Sequence, residues 1–384
     1  MSKTTATSEL DVNTRSGWVS GARRFGADHV GLVIASLVFL SLPVTMKLIG
    51  LPLQFSVSNF VNRYLAVAIQ SIAYALILGV IGFPRETIGA VAARFVASPA
   101  RLIIVVLLGI LFFYLYPAWI AAVFLLIAVA ILDAYERAIP LRTLAQPLLP
   151  GLYLFIGLVT VFGYNAVAVT LRFYPNYDIV LKVIDSYLLL GHSVSGLSHQ
   201  FCAAAPRLVV TTLMVSYMAL FAQIGAGLLL TTLKVNREEG MRFVSTILLA
   251  YLFSMIIFFA FPTHSPYFTC VDHATSALPR PVLEAQQALM GLADSRWHRI
   301  AIPIDTEYYI AFPCMHIAQP LIVLWFLRRW RRIAITLLVV DVILTAAIVL
   351  LEWHYVADLV GGVVVATMAI GTIKWNSSPH PSKI

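Results

Sequence analysis

The chain has few charged residues and few cysteines, and both shortages exclude whole classes of protein. Charged residues make up 11% of its 384 positions and hydrophobic residues 60%, whereas soluble domains carry roughly 25% charged residues. A soluble enzyme and a nucleic-acid-binding protein are therefore excluded, although the formal net charge is +8. The 3 cysteines have no metal-binding spacing and allow at most one disulfide.

Two further features are missing. The first 28 residues are polar and contain no apolar segment of the kind that a cleaved signal peptide has, so we expect none. The apolar runs lack the alternation that marks the strands of outer-membrane barrels. What the chain does have is repeated apolar runs of about 20 residues, the length that a helix needs to cross some 30 Å of hydrocarbon. The predicted fold class is all-α, a polytopic membrane helix bundle.

The apolar runs predict where the chain crosses the membrane. The clearest spans lie at 29–50, 64–83, 148–172, 206–231, 243–262, 316–329, 334–351 and 355–373. The stretch 101–133 has an apolar run of about 31 residues, which at 1.5 Å per residue reaches ~46 Å and is too long for one upright span. A tight hairpin that turns near Tyr116 and Pro117 and one long tilted helix both remain open.

Basic clusters between the spans predict the orientation. The positive-inside rule places them in the cytoplasm, most clearly the cluster at 328–332. Both flanks of 101–133 are then cytoplasmic, which favours the hairpin and about ten spans. The segment 177–201 and the loop 263–312 fall outside the cytoplasm. Apolar residues at helical spacing in 177–201 predict an interfacial helix on the outer surface.

The same patterns predict the organisation of the chain. Residues 1–147 form a cytoplasmic tail and about four accessory transmembrane spans. Residues 148–373 form a six-helix core, and residues 374–384 form a second cytoplasmic tail. The sequence indicates neither the role of 1–147 nor the oligomeric state.

Two histidines stand at the outer ends of predicted helices. His316 and His354 each open an apolar run, and the cytoplasmic cluster at 328–332 lies between them, so both belong to the opposite side of the membrane. The N-termini of their helices would meet at one water-accessible point, which favours an anion. His354 and Asp358 are four residues apart and would share a helix face, where the carboxylate can orient the imidazole.

Such a pair of histidines suits phosphoryl transfer without a metal. An oriented histidine can attack phosphorus, and a second one can protonate the leaving oxygen. The alternative is that each histidine is merely an amphipathic residue at a wet boundary. Asp358 favours the catalytic interpretation, because an acid about one turn inside an apolar span needs a partner.

The residues around these histidines resemble a known family. The runs Phe312–Ala318 and His354–Asp358, with Gly361 and Gly362 beyond, resemble the second and third signature motifs of the type 2 phosphatidic acid phosphatase superfamily. Within it they look most like the branch that contains inositol phosphorylceramide synthase, an inositolphosphotransferase. The resemblance covers 148–373 and implies a six-helix phosphatase-type core.

The resemblance also implies roles for individual residues. His354 would be the nucleophile that forms a phosphohistidine, Asp358 would orient it, and His316 would be the general acid; no cofactor or metal is implied. The segments Asp185–Ser195 and Phe261–Pro266 resemble two further landmarks of the branch.

Departures from the superfamily pattern leave the phosphate-binding residues open. The superfamily has an arginine six residues before the nucleophile, where this chain has Ile348, and the inositol branch commonly lacks that arginine. Cys314 replaces the usual serine, and Tyr267 stands where many relatives have a basic residue. Candidate substrate-binding residues are Cys314, His264, Tyr267, His192 and Arg280. Further outer-face candidates are Lys182, His199, Arg207, Arg296 and Arg299.

Two other features stay open. His264, Asp272 and His273 are irregularly spaced, so a polar loop is a better interpretation than a metal site. Cys202 and Cys270 both fall outside the cytoplasm, where a disulfide between them is possible.

The function predicted from these observations is transfer of a phosphoryl-bearing headgroup of the inositol-phosphoryl type between lipids. The partners would be the bilayer, a phospholipid donor and a lipid or water acceptor. With water as acceptor the protein would be a phosphatase of lipid phosphates or polyprenyl pyrophosphates. A lipid transporter without covalent chemistry is the alternative from another class.

Overall fold

A computed structural model describes residues 53–54, most of 70–82, and 146–171, 177–269, 278–297, 302–303 and 311–377. The predicted span 29–50 and the ambiguous stretch 101–133 lie outside the described residues. So do Cys270, Asp272, His273 and Arg299.

The described core consists of helices, which confirms the predicted all-α class. They are α1 (Leu148–Leu171), α2 (Asp178–Leu188), α3 (Val194–Ala204), α4 (Arg207–Met218), α5 (Leu220–Lys234), α6 (Arg237–Ala260), α7 (Arg280–Trp297), α8 (Met315–Leu327), α9 (Arg331–Leu350) and α10 (Val356–Ser377). A 3₁₀ turn lies at Pro266–Thr269, and the short strands β1 (Leu53–Gln54) and β2 (Ile302–Pro303) pair in parallel.

Several of these helices are long and apolar enough to cross a bilayer, so this is a membrane protein. By length and composition, α6, α9 and the part of α10 from Val356 to Lys374 qualify, and the bent pair α4 and α5 together form a fourth. The central helix α8 is shorter, with 13 residues, or ~20 Å. It packs against α5, α6, α9 and α10, and Ile322, Val323 and Leu327 are fully buried there.

The segment 206–231 is predicted as one span, but the structure divides it into α4 and α5 at Ala219, with a bend of 48°. Polar side chains lie on both sides of the break. Ser216 donates from Oγ to the Val340 carbonyl oxygen at 3.1 Å, and Gln223 donates from Nε2 to Asp341 Oδ1 at 2.9 Å. Both acceptors belong to α9. Polar groups in apolar surroundings need such partners, and the two bonds hold both arms of the bend against one helix.

The segment 177–201, predicted as a single interfacial helix, is also two helices. The chain turns between α2 and α3, where Leu190 and Gly191 have φ values of 54° and 91°. This left-handed backbone stops a helix, and glycine adopts it readily. Ser193 then starts α3 by accepting the Gly196 N–H at 3.0 Å. Cys202 in α3 is a free cysteine whose sulfur lies 3.8 Å from the Leu350 carbonyl oxygen.

Glycines in α10 allow the segment before α8 to approach closely. A Cβ added at Gly361 would lie 2.6 Å from a ring carbon of Phe312, and one added at Gly362 would lie 2.8 Å from Ile317 Cβ and would also meet the Cys314 carbonyl oxygen. The start of α8 therefore packs directly on the backbone of α10.

This packing predicts opposite effects for two alanine substitutions in the same helix. Gly362→Ala should destabilise the protein by about 1–3 kcal/mol, because backbone atoms must move to admit the methyl group. Gly371→Ala is the matched control, since an added Cβ there meets nothing within 4 Å and alanine favours a helix by about 0.5–1 kcal/mol. Melting temperatures in one detergent test this. Equal shifts for both variants would contradict the close packing.

Candidate active site

The structure brings the two histidines into direct contact. His316 is the second residue of α8, and His354 lies in the turn between α9 and α10. His316 Nδ1 is 3.1 Å from His354 Nε2, although the residues are 38 positions apart in the chain. This distance is that of a hydrogen bond.

Asp358 contacts His354, but not from a shared helix face as the spacing suggests. Helix α10 begins at Val356, after the histidine. Asp358 is the third residue of that helix, and its Oδ2 reaches back to the Tyr355 N–H at 2.9 Å and to His354 Nδ1 at 3.2 Å. A side chain at this position commonly caps the preceding N–H groups. The same carboxylate therefore starts the helix and orients the imidazole.

The first N–H groups of α10 are already hydrogen-bonded to a carboxylate of the protein itself. Asp185 of α2 accepts the Val356 N–H on Oδ2 and the Ala357 N–H on Oδ1, each at 2.9 Å. Only 2% of Asp185 is exposed. The helix end that the sequence pattern offered to an anionic ligand therefore already holds two carboxylates, those of Asp185 and Asp358.

A second aspartate of α2 holds the loop that enters the site from α6. Asp178 Oδ1 accepts the His264 N–H at 2.6 Å, and Oδ2 lies 3.2 Å from His264 Nδ1. The adjacent Thr263 hydroxyl accepts the Phe312 N–H at 3.0 Å. His264, a candidate substrate ligand, is thus part of the connection between α2, this loop and the segment before α8.

Sequence reasoning missed the roles of both aspartates of α2 because it emphasised the apolar residues of that helix. Those residues, among them Val180 and Tyr187, point outward with 50% and 80% exposure, while Asp178 and Asp185 are buried. The signal was present in the spacing. Two acids seven residues apart lie two helical turns apart on one face.

Burial controls the charge of His354, which is only 4% exposed. It lowers the pKa of His354 to about 4, and a hydrogen bond with the Ala311 backbone acts in the opposite direction. At neutral pH the imidazole is therefore uncharged, with one nitrogen as donor and the other as acceptor. With Nδ1–H donated to Asp358, Nε2 carries the lone pair on the side that faces His316.

Aromatic rings pack around the histidine pair. Tyr217 of α4 stacks on His316 with centroids 4.9 Å apart and on Trp353 with centroids 5.1 Å apart. Tyr267 packs edge-on against Trp353 at 5.6 Å and is fully buried. Tyr267, a candidate substrate ligand, is therefore placed in the aromatic packing around the site.

Cys314 lies beside the pair and is fully buried. Its backbone N–H donates to the Asp358 carbonyl oxygen at 3.2 Å, and burial raises the pKa of its thiol well above the usual range. A thiol that stays protonated is a poor nucleophile. Pro313 precedes Cys314, which is the N-cap residue of α8.

Cys314, His316 and His354 are also the group among the described residues that could hold a metal, with ligand atoms within 4.8 Å of one another. Zinc bonds to nitrogen and sulfur at about 2.0–2.3 Å, so two such ligand atoms of one ion lie within ~4.4 Å of each other. His316 Nδ1 and His354 Nε2 lie closer than that, at the hydrogen-bond distance of 3.1 Å. As they stand, the two rings are placed to exchange a proton.

The candidate lysine and arginines whose side chains the structure describes, Lys182, Arg207 and Arg280, lie on the surface. Arg280 is exposed and pairs with Glu284 one turn further along α7, with Nε 2.8 Å from Oε1. Lys182 and Arg207 are exposed, as is His192 in the turn between α2 and α3. His199 is partly buried and lies 3.7 Å from the buried Glu352.

A membrane helix bundle in which a carboxylate orients a neutral histidine against a second histidine has the groups that phosphoryl transfer requires. Residues 181–372, half of the chain, match the family model of the PAP2 superfamily, and the chain belongs to that superfamily. It is accordingly an enzyme of the phosphatase and phosphotransferase class that acts on lipid phosphates. The match runs from α2 into α10 and includes Asp185, His316, His354 and Asp358. No curated protein and no solved structure matches the chain.

Proposed function

We propose that the protein transfers a phosphoryl-bearing headgroup, of the inositol-phosphoryl type, from a phospholipid donor to a lipid acceptor through a phosphohistidine at His354. The contact that carries the proposal is the 3.1 Å distance between His354 Nε2 and His316 Nδ1, with Asp358 on the other side of the His354 ring. Nucleophile, orienting carboxylate and proton carrier thus lie in one series.

The reaction has two steps, and the proton is conserved through them. In the first, the His354 Nε2 lone pair forms a bond to phosphorus and the bond from phosphorus to the diacylglycerol oxygen breaks. His316, which takes up a proton together with the anionic substrate phosphate, gives that proton to the leaving oxygen. In the second, the acceptor hydroxyl attacks phosphorus, the bond to Nε2 breaks, and His316 takes the hydroxyl proton. Asp358 holds Nδ1–H throughout.

Burial of the site supports a lipid acceptor over water. His354 is 4% exposed and Asp358 is fully buried, and exclusion of water protects a reactive intermediate from hydrolysis. Ile348, which stands at the superfamily's arginine position and is also fully buried, is one of the features by which the sequence resembles the inositol branch. Hydrolysis of a lipid phosphate with water as acceptor is the second candidate, because the superfamily includes phosphatases.

We place this site on the extracytoplasmic side, with both termini in the cytoplasm. Helix α8 runs from His316 at one end to the exposed pair Arg328 and Arg329 after the other. Helix α10 starts just after His354 and carries Lys374 in its last turn. The basic residues thus lie at the end of the bundle opposite the histidines. The positive-inside rule assigns this basic end to the cytoplasm.

The test incubates the purified full-length protein with phosphatidylinositol labelled in its headgroup, together with ceramide or diacylglycerol. Labelled new lipid and water-soluble inositol phosphate are measured, with phosphatidate hydrolysis assayed in parallel. His354→Gln is the inactive control, and His380→Gln, in the C-terminal tail outside the described residues, is the matched histidine substitution. Labelled lipid from the unmutated chain supports transfer, and release of water-soluble phosphate alone makes the protein a phosphatase. Absence of any His354-dependent product rejects both.

The lowered pKa of His354 predicts the acid limit of this activity. His354 attacks only when neutral, and a pKa of about 4 keeps it neutral down to about pH 5. A histidine in the unfolded chain has a pKa near 6.5, so the unfolded chain binds the proton first and stability falls as pH drops from about 6.5 to 4. Plots of kcat/KM and melting temperature against pH test this. A loss of phosphohistidine formation centred near 6.5 without a change in melting temperature would contradict it.

A further inference from the structure

Asp185 is not one of the three residues Asp358, His354 and His316, but it contacts the chain segment between His354 and Asp358. Its two carboxylate oxygens accept the N–H groups of the first two residues of α10, Val356 and Ala357, at 2.9 Å each. These contacts join parts of the chain more than 170 positions apart. His354 lies two residues before the capped N–H groups.

The position of this carboxylate matters because it occupies an anion site. The first N–H groups of a helix have no partner within the helix, and together with the helix dipole they attract phosphate. An open N-terminus of α10, next to His354, would therefore compete with Nε2 for the substrate phosphate. The structure closes it completely at three successive residues, since Asp358 accepts the Tyr355 N–H and Asp185 accepts the next two.

We infer that Asp185 is a positioning residue: it fixes the N-terminus of α10 and keeps the substrate phosphate away from it, so that the phosphate meets His354 Nε2. The kinetic part of this inference rests on the proposed phosphotransfer, whereas the exclusion of phosphate rests on the geometry alone. The side chain suits this role because it is buried between α2 and α10 while most of α2 is exposed. Asp185 and Leu181 lie on the inner face of that helix, at 2% and 7% exposure.

The test compares Asp185→Asn and Asp185→Ala with Ser186→Ala, a substitution at the neighbouring exposed position. Asparagine keeps one acceptor oxygen but turns an NH₂ group toward the second N–H, and alanine leaves both N–H groups open. We expect kcat of the Asp185 variants to fall about 10- to 100-fold, as misplacement of a reacting group by about 1 Å does, with KM within about 3-fold of the unmutated protein. Inorganic phosphate, measured by calorimetry on the full-length protein, should bind about 3-fold more tightly to them. Ser186→Ala should change none of these quantities.

Several results would overturn the inference. A raised KM with unchanged kcat would make Asp185 a substrate ligand, and a loss of kcat that only follows the fraction of folded protein would make it a structural cap. Phosphate binding that is unchanged or weaker in both variants would refute the exclusion role.

Failure of the proposed function and failure of this inference can be told apart. If the unmutated protein shows no His354-dependent turnover, the proposed function fails, and the phosphate-binding comparison still decides the exclusion role. If the asparagine and alanine variants do not fold, Asp185→Glu replaces them, because it keeps the charge but displaces the carboxylate. We expect the Asp185→Glu variant to bind inorganic phosphate as tightly as the unmutated protein does and to have a reduced kcat. An unchanged kcat in this variant would overturn the positioning role.

Discussion

His354→Gln is expected to reduce headgroup transfer by about 10³-fold or more, the size of effect seen when a nucleophile is removed from a covalent mechanism. Glutamine keeps a neutral polar side chain in the buried turn but has no nitrogen lone pair that can form the intermediate. His354 is 4% exposed, so the variant protein must also be shown to fold.

The measurement for His354 is direct. A labelled phospholipid donor is mixed with the protein, the reaction is stopped in alkali, and acid-labile protein-bound phosphate is counted beside the turnover. The unmutated chain should carry the label and the His354→Gln chain should not, at equal melting temperatures. Label that persists in the variant, or turnover above a tenth of the original, would place the nucleophile elsewhere.

His316→Gln has the second largest expected effect, about 10²- to 10⁴-fold on transfer from a natural lipid donor. The leaving diacylglycerol oxygen is a poor leaving group and needs a proton as the bond to phosphorus breaks. We propose Nδ1 of His316, which lies 3.1 Å from His354 Nε2, as the donor of that proton.

A donor with a nitrophenol leaving group separates this role from a structural one. Nitrophenolate leaves without protonation, so formation of the phosphohistidine from such a donor should fall less than about 10-fold in His316→Gln. The His354→Gln variant should fail with both donors. Equal losses with the two donors in His316→Gln would show that His316 supports the fold through its stacking on Tyr217 and is not the general acid.

The prediction from sequence was most successful where local patterns carry the information. Apolar runs identified the membrane class, and each of the six predicted core segments contains helix in the structure. The internal breaks were missed at Ala219 and near Gly191. The break at Ala219 is accompanied by hydrogen bonds to another helix. The break near Gly191 follows from backbone angles, which a hydropathy pattern does not report.

The candidate site shows the same division. The pair His316 and His354 followed from two short motifs, together with the carboxylate of Asp358. The sequence did not predict the capping role of Asp358, the burial of Tyr267 or the contacts of Asp185. The division of the chain at 147 and 148 and the number of accessory spans before it stay predictions.

The sequence by itself determined the kind of molecule: a membrane helix bundle whose two short motifs contain two histidines and an aspartate. It could do so because hydrophobicity sums over about 20 neighbouring residues and the motifs are contiguous. Only the tertiary structure decided that the imidazoles touch, that His354 is neutral, and that Asp185 closes the helix end beside it. Those properties depend on side chains 38 and 172 positions apart, and on burial, which is set when the helices pack together.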